Sequence, residues 1–94
     1  MKKSFPTQSG NHAPARVIEG IKGEIKKYLK RERKKKLPEG VDFWDFDCRV
    51  GVDIGSAKNV HVQELSKAID ETTASEPEVI YIEILAKKGH RNTA

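Results

Sequence analysis

Asp45 and Asp47 stand two residues apart in a run of alternating character, and Glu83 lies in a second such run. On a strand, side chains two apart share one face at about 7 Å. Three carboxylates gathered that way could hold Mg²⁺ and water for phosphoryl chemistry, making the chain a metal-dependent hydrolase. The competing expectation is that these charges keep an open sheet face soluble and discourage edge pairing, with Arg49 and basic neighbours neutralising them. A small two-layer domain also offers little concavity for a site. Other chemistry is absent from the pattern. His12, His61, His90 and Cys48 have no zinc spacing, and no nucleophile triad, phosphate loop or dinucleotide fingerprint occurs. Nothing calls for a metal or a cofactor, and no residue stands out as catalytic. Cys48 is expected in the core beside Trp44 and Phe46.

A second group of residues could do binding chemistry. Residues 22–36 hold nine basic side chains and two acidic ones, a local charge of +7 in a chain whose net charge is +4. Lys22–Lys26, Lys26–Lys30, Lys27–Arg31, Lys30–Lys34 and Arg31–Lys35 are like-charge pairs at helical i,i+4 spacing. Each costs about 0.2–0.5 kcal/mol. Cations near a helix C-terminus offset the macrodipole, but that does not account for the crowding. Two counterweights are open. One is an external polyanion such as RNA or DNA, with Lys26, Lys27, Lys30, Arg31, Arg33, Lys34, Lys35 and Lys36 against phosphates. The other is the chain's own Glu39, Asp42, Asp45, Asp47 and Asp53, or solvent, since charge runs are usually solvated. Gly20-Ile-Lys-Gly23 has the spacing of a backbone clamp. Such clamps lie in a loop between two helices, whereas these glycines fall inside one amphipathic helix. The match is therefore set aside, leaving the two glycines without a physical account.

These side chains need elements to position them. Residues 2–7 read as a short edge strand because of Pro6, and 8–13 as a loop. Pro14 suits the first turn of a helix, and Val17, Ile18, Ile21, Ile25, Tyr28 and Leu29 form one apolar stripe. The stripe stops after Leu29. Any further turns are charged all round, and Leu37-Pro-Glu-Gly40 ends the element. Residues 41–50 form a strand with Trp44, Phe46, Cys48 and Val50 on one face and Asp45, Asp47 and Arg49 on the other. Residues 51–58 read as a loop. A second helix is expected over 60–73, with Asn59 as its cap and Val62, Leu65, Ala68 and Ile69 as its stripe. Ser75-Glu-Pro77 is a turn. Residues 78–86 are a strand with Ile80, Ile82, Ile84 and Ala86 opposite Val79, Tyr81, Glu83 and Leu85. The ends, 1–13 and 87–94, are expected to be partly flexible. The order β-α-β-α-β predicts an α+β two-layer sandwich of one domain over 1–94. Its sheet has three strands in parallel crossovers, with two helices on one face.

Composition sets the limits. An apolar share of 36% beside 34% charged residues implies a thin core under a heavily charged surface. One cysteine rules out an internal disulfide and fits a reducing compartment. No apolar run follows the basic start and none approaches the ~18 residues of a membrane span, so neither a leader nor a membrane association is expected. The expected location is the cytoplasm.

The run Tyr28-Leu-Lys-Arg-Glu-Arg-Lys-Lys-Lys-Leu-Pro-Glu-Gly-Val-Asp-Phe-Trp-Asp-Phe-Asp-Cys48 resembles the signature of a family of small bacterial proteins of unknown function. The Lys-Lys-Ser-Phe-Pro start and Glu83-Ile-Leu-Ala-Lys-Lys-Gly-His90 resemble it too. The resemblance implies a stand-alone bacterial domain and assigns no residue a role. The expected function is thus a non-enzymatic polyanion-binding module on the basic end of the first helix. A protein-interaction or structural module is the alternative, with Asp45, Asp47, Arg49, Tyr81 and Glu83 meeting a partner or a second copy.

Overall fold

Four strands and two helices make up the computed structural model, which describes residues 1–7 and 14–90. The expected loop at 8–13, with His12, and the tail at 91–94 lie outside the described residues. In chain order the elements are β1 (Lys2–Pro6), α1 (Pro14–Arg33), β2 (Phe43–Gly51), β3 (Lys58–Val60), a 3₁₀ turn (Val62–Glu64), α2 (Leu65–Thr73) and β4 (Val79–Gly89). The sheet order is β1-β4-β2-β3, with every neighbouring pair antiparallel.

This corrects the expected three-stranded sheet with parallel crossovers. The fourth strand, β3, is only three residues long and follows a tight return from β2, too short for alternation to reveal it. Gly51 permits that return: a Cβ there would lie 2.6 Å from the Ala57 Cα, so only glycine lets the loop close. Asp53 stiffens the loop by accepting from the Ser56 backbone N–H and hydroxyl, which holds its carboxyl below the ordinary range. Because Asn59 belongs to β3, it cannot cap the helix. His61 caps the 3₁₀ turn instead, its Nδ1 accepting from Gln63 N, and α2 starts only at Leu65.

The side-chain alternation places the core face as expected, but on β4 Tyr81 and Glu83 of the opposite face, expected to be exposed, are also buried, at 6% and 7%, and Ala86 is exposed. Phe46, Cys48 and Val50 of β2 and Ile80, Ile82 and Ile84 of β4 are buried, and with Phe5 they meet Ile21, Ile25 and Leu29 of α1 and Leu65 and Ile69 of α2 in one cluster. Val17, Ile18, Tyr28, Val62, Ala68 and Trp44 pack around it. Both helices therefore cover the same sheet face. Burial pushes the Cys48 thiol up to about 11, with Asp47 and Asp45 adding to the shift, so it is an inert core group.

β4 runs past the expected Ala86 to Gly89. Lys87 and Lys88 are paired strand residues rather than a frayed end. At Gly89 the Phe43 ring fills the space a side chain would take, an aromatic cover over a strand glycine. Beyond β3 the outer edge of β2 is open at Phe46, where the Asp45 carboxylate accepts from the Phe46 N–H at 2.8 Å. That bond occupies a donor an added strand would need.

Candidate functional site

α1 ends at Arg33, earlier than Leu37-Pro38. Lys34 N and Lys35 N bond to the carbonyls of Arg31 and Glu32 in the tighter i→i+3 manner, and the chain then leaves the helix. The Trp44 indole donates to the Lys35 carbonyl and anchors this exit against β2. Gly40, at φ +80°, turns the chain, with Val41 N bonding to Pro38 O. Two of the five like-charge pairs, Lys30–Lys34 and Arg31–Lys35, thus lose full helical spacing, while Lys22–Lys26, Lys26–Lys30 and Lys27–Arg31 stay within α1.

The helix turns by about 100° per residue. From Arg33 through Lys26, Lys30 and Lys27 to Arg31 the cations cover an outward arc of about 160°, opposite the apolar stripe. The arginines mark its two margins. The Arg31 guanidinium lies 5.5 Å from the centre of the Tyr28 ring, and that of Arg33 lies 5.5 Å from Phe46. Stacked arginines keep their N–H edges free for an anion while losing little further freedom on binding. Beside Arg31 a hollow of about 530 Å³ is lined by Met1, Glu24, Lys27, Tyr28 and Arg31.

Carboxylates reach this surface sparingly. Lys35 pairs with Glu32 at 2.5 Å. Among the described residues no other member of the eight predicted contact residues is in a salt bridge. Lys22, nearer the helix start, pairs with Asp70 of α2, and Glu24 pairs with Lys3 of β1. Glu32 falls on the apolar stripe, where the Lys35 ammonium holds its carboxyl below the ordinary range. Tyr28 beside it is raised by burial and by that carboxylate.

Three of the expected internal counterweights, Asp45, Asp47 and Asp53, are engaged elsewhere. On the open sheet face Lys87 Nζ lies 2.7 Å from Asp47 Oδ1 and 3.7 Å from Asp45 Oδ2, which raises the lysine's pKa. Asp53 is tied to Ser56. Arg49 lies 3.8 Å from Glu83 Oε1 while donating to the carbonyls of Ile54 and Ala57, and the Tyr81 hydroxyl donates to Glu83 at 2.9 Å. A groove of about 590 Å³ runs over this face, lined among others by Asp45, Asp47, Arg49, His61, Glu83 and Lys87. Register explains the pairing, because Lys87 stands opposite Asp45 and Glu83 opposite Arg49. Among the described residues no three His, Cys, Asp or Glu side chains gather as a metal site. The carboxylates considered for a hydrolase are held instead by Lys87, Arg49 and Tyr81.

A family model matches residues 1–94 from end to end. The chain belongs to a family of unknown function, DUF6172. No curated protein and no solved structure matches it. Membership in DUF6172 agrees with the resemblance seen in the sequence and gives no residue a role.

Two features of this DUF6172 chain escaped the sequence. One is the stacking of Arg31 and Arg33 at the margins of the arc; spacing from Tyr28 hints at the first, while the second joins separate elements. The other is that Gly20 and Gly23 lie in open space on the outward side of α1, with no atom within 4 Å of an added Cβ. Among the described residues no helix is long and apolar enough to cross a membrane.

Proposed function

We propose that this protein is a non-enzymatic binding module whose α1 docks on the phosphates of a nucleic acid. One observation carries the reading. Lys26, Lys27, Lys30, Arg31, Arg33, Lys34 and Lys36 find no carboxylate in ion-pair contact among the described residues, although α1 sustains repulsion to hold the first five together. Phosphates would supply the missing charge and release counterions in doing so. Lys35, already matched by Glu32, is the weakest member of the set. Such contacts position a nucleic acid without reading its sequence. A lone, buried, unreactive thiol is compatible with the cytoplasm as the place of action.

Anisotropy titrations of the full chain against labelled oligonucleotides at several salt concentrations test this. With about five phosphates engaged, log K falls with log salt at a slope near −4 to −5. Absence of binding to every nucleic acid at low salt would remove the reading.

The alternative, a protein-interaction module, draws on Phe43 and Leu85, which are 40% and 42% exposed on the open sheet face. Sedimentation of the purified chain tests self-association through that face. A monomer whose β2 and β4 resonances ignore concentration counts against it.

A further inference from the structure

We propose that the nucleic acid is a B-form DNA duplex and that the outward side of α1 lies in its major groove. The inference rests on the phosphate-binding reading and narrows it.

The shape of the charged surface carries the first step. A flat patch would meet one phosphate strand, but this one wraps about 160° of a helix. Lys27 and Arg31 stand on one flank and Lys26 and Arg33 on the other, with Lys30 between them. Two flanks of cations on one cylinder suit two phosphate strands lining a trough. A helix with its side chains is about 10–12 Å across, and the B-DNA major groove is about 12 Å wide. The major groove of A-form RNA is deep and narrow and excludes side chains.

The middle of the arc carries the second step. Continuing the rotation, Gly23 falls at the angular middle of the arc and Gly20 nearby, both with nothing within 4 Å of an added Cβ; Gly20 is exposed and Gly23 half-buried. Each glycine costs a helix about 1 kcal/mol relative to alanine, and neither makes room for a neighbour within the molecule. A stretch of α1 bare of side chains, about one turn before the charged flanks, lets that part of the helix settle towards the floor of a groove. The carboxylate on this arc, Glu19, lies one turn before Gly23 and about two turns before Lys26, with Arg16 on the same arc a turn further towards the helix start.

The third step is the lack of a stacking platform. Single strands are held by exposed aromatic rings beside a basic track. The rings bordering this surface are Tyr28, under Arg31, Phe46, which is 4% exposed and faces Arg33, and Trp44, half-buried with its indole tied to the Lys35 carbonyl.

The test is anisotropy with the full chain and four probes of matched length: duplex DNA, duplex RNA of the same sequence, single-stranded DNA and heparin. The expected order has duplex DNA tightest by about tenfold or more. Gly23→Gln, which favours the helix but fills the middle of the arc, is expected to weaken duplex DNA about tenfold and leave heparin within twofold. Lys30→Gln, on the arc but leaving the glycines bare, is expected to weaken all four probes. Equal or tighter binding of duplex RNA or single strands overturns the groove inference and leaves phosphate binding standing. So does a Gly23→Gln variant that binds duplex DNA as the parent does, or that loses all probes equally. Failure of every probe at low salt removes the parent reading itself.

Discussion

On the open face of the sheet Lys87 bridges Asp45 and Asp47, and Arg49 lies beside Glu83; on the outward arc of α1, Lys26, Lys27 and Lys30 stand together with no carboxylate in contact. Both surfaces are crowded with charge. The sheet brings opposite signs into register from strands some forty residues apart in the chain. The helix must use its own near neighbours, and in this helix they carry the same sign. A surface matched within the molecule is explained by folding. One left unmatched, where Glu at alternate positions would have been easy, points outside it.

The sharpest way to break the comparison is to remove the unmatched charges. Lys26→Gln, Lys27→Gln and Lys30→Gln together relieve repulsion within α1, so the thermal midpoint is expected to hold or rise slightly. Binding to duplex DNA is expected to fall about a hundredfold, with the salt slope shallower by about 2 to 3. A drop in midpoint with unchanged binding would reverse the roles assigned to the two surfaces.

The matched surface should behave the opposite way. Arg49→Met leaves Glu83, 7% exposed, with only the Tyr81 hydroxyl, and frees the carbonyls of Ile54 and Ala57. The expected loss is about 2 kcal/mol in urea unfolding, with nucleic-acid affinity unchanged. Lys87→Met should cost much less in the same measurement, because its partners are exposed and screened. Lys87 has a raised pKa, so its contribution is in place below the ordinary lysine value. It is lost as pH rises through the folded one. A Met variant keeping the parent's alkaline limb would show that the bridge does not form.

Much of this contrast was legible in the residues, and the part that was not has a physical cause. The stripe from Val17 to Leu29 and the alternation of Phe46, Cys48 and Val50 are local periodicities, so they placed α1 and the buried side of β2 correctly. The crowding of like charges on α1 is also local, since i,i+4 neighbours can be read directly. Register is not local. That Lys87 faces Asp45, or that Arg49 faces Glu83, follows only once β2 and β4 are known to run antiparallel. The β-α-β-α-β order suggested otherwise because β3 was hidden in a loop. The stop at Arg33 was missed for a related reason: the Trp44 indole that holds the exit at Lys35 comes from another element.

The smallest effect draws the border between the two kinds of surface. Glu32 sits where the apolar stripe of α1 would continue, with a side chain only 11% exposed, and Lys35 is its partner. Lys35→Gln removes the main cause of its lowered pKa, so the Glu32 carboxyl should titrate closer to the ordinary glutamate range when followed by NMR. Because the folded value lies below the unfolded one, the stability tied to this group is present above the ordinary carboxylate range. It is lost as pH falls through the lowered value. In Lys35→Gln that acid limb should be shallower and should end at higher pH. Binding to duplex DNA should stay within twofold, since this ammonium is already matched, whereas Lys30→Gln should lose several-fold. An unmoved Glu32 midpoint, or equal losses from both variants, would place Lys35 among the free cations and erase the border drawn at the end of α1.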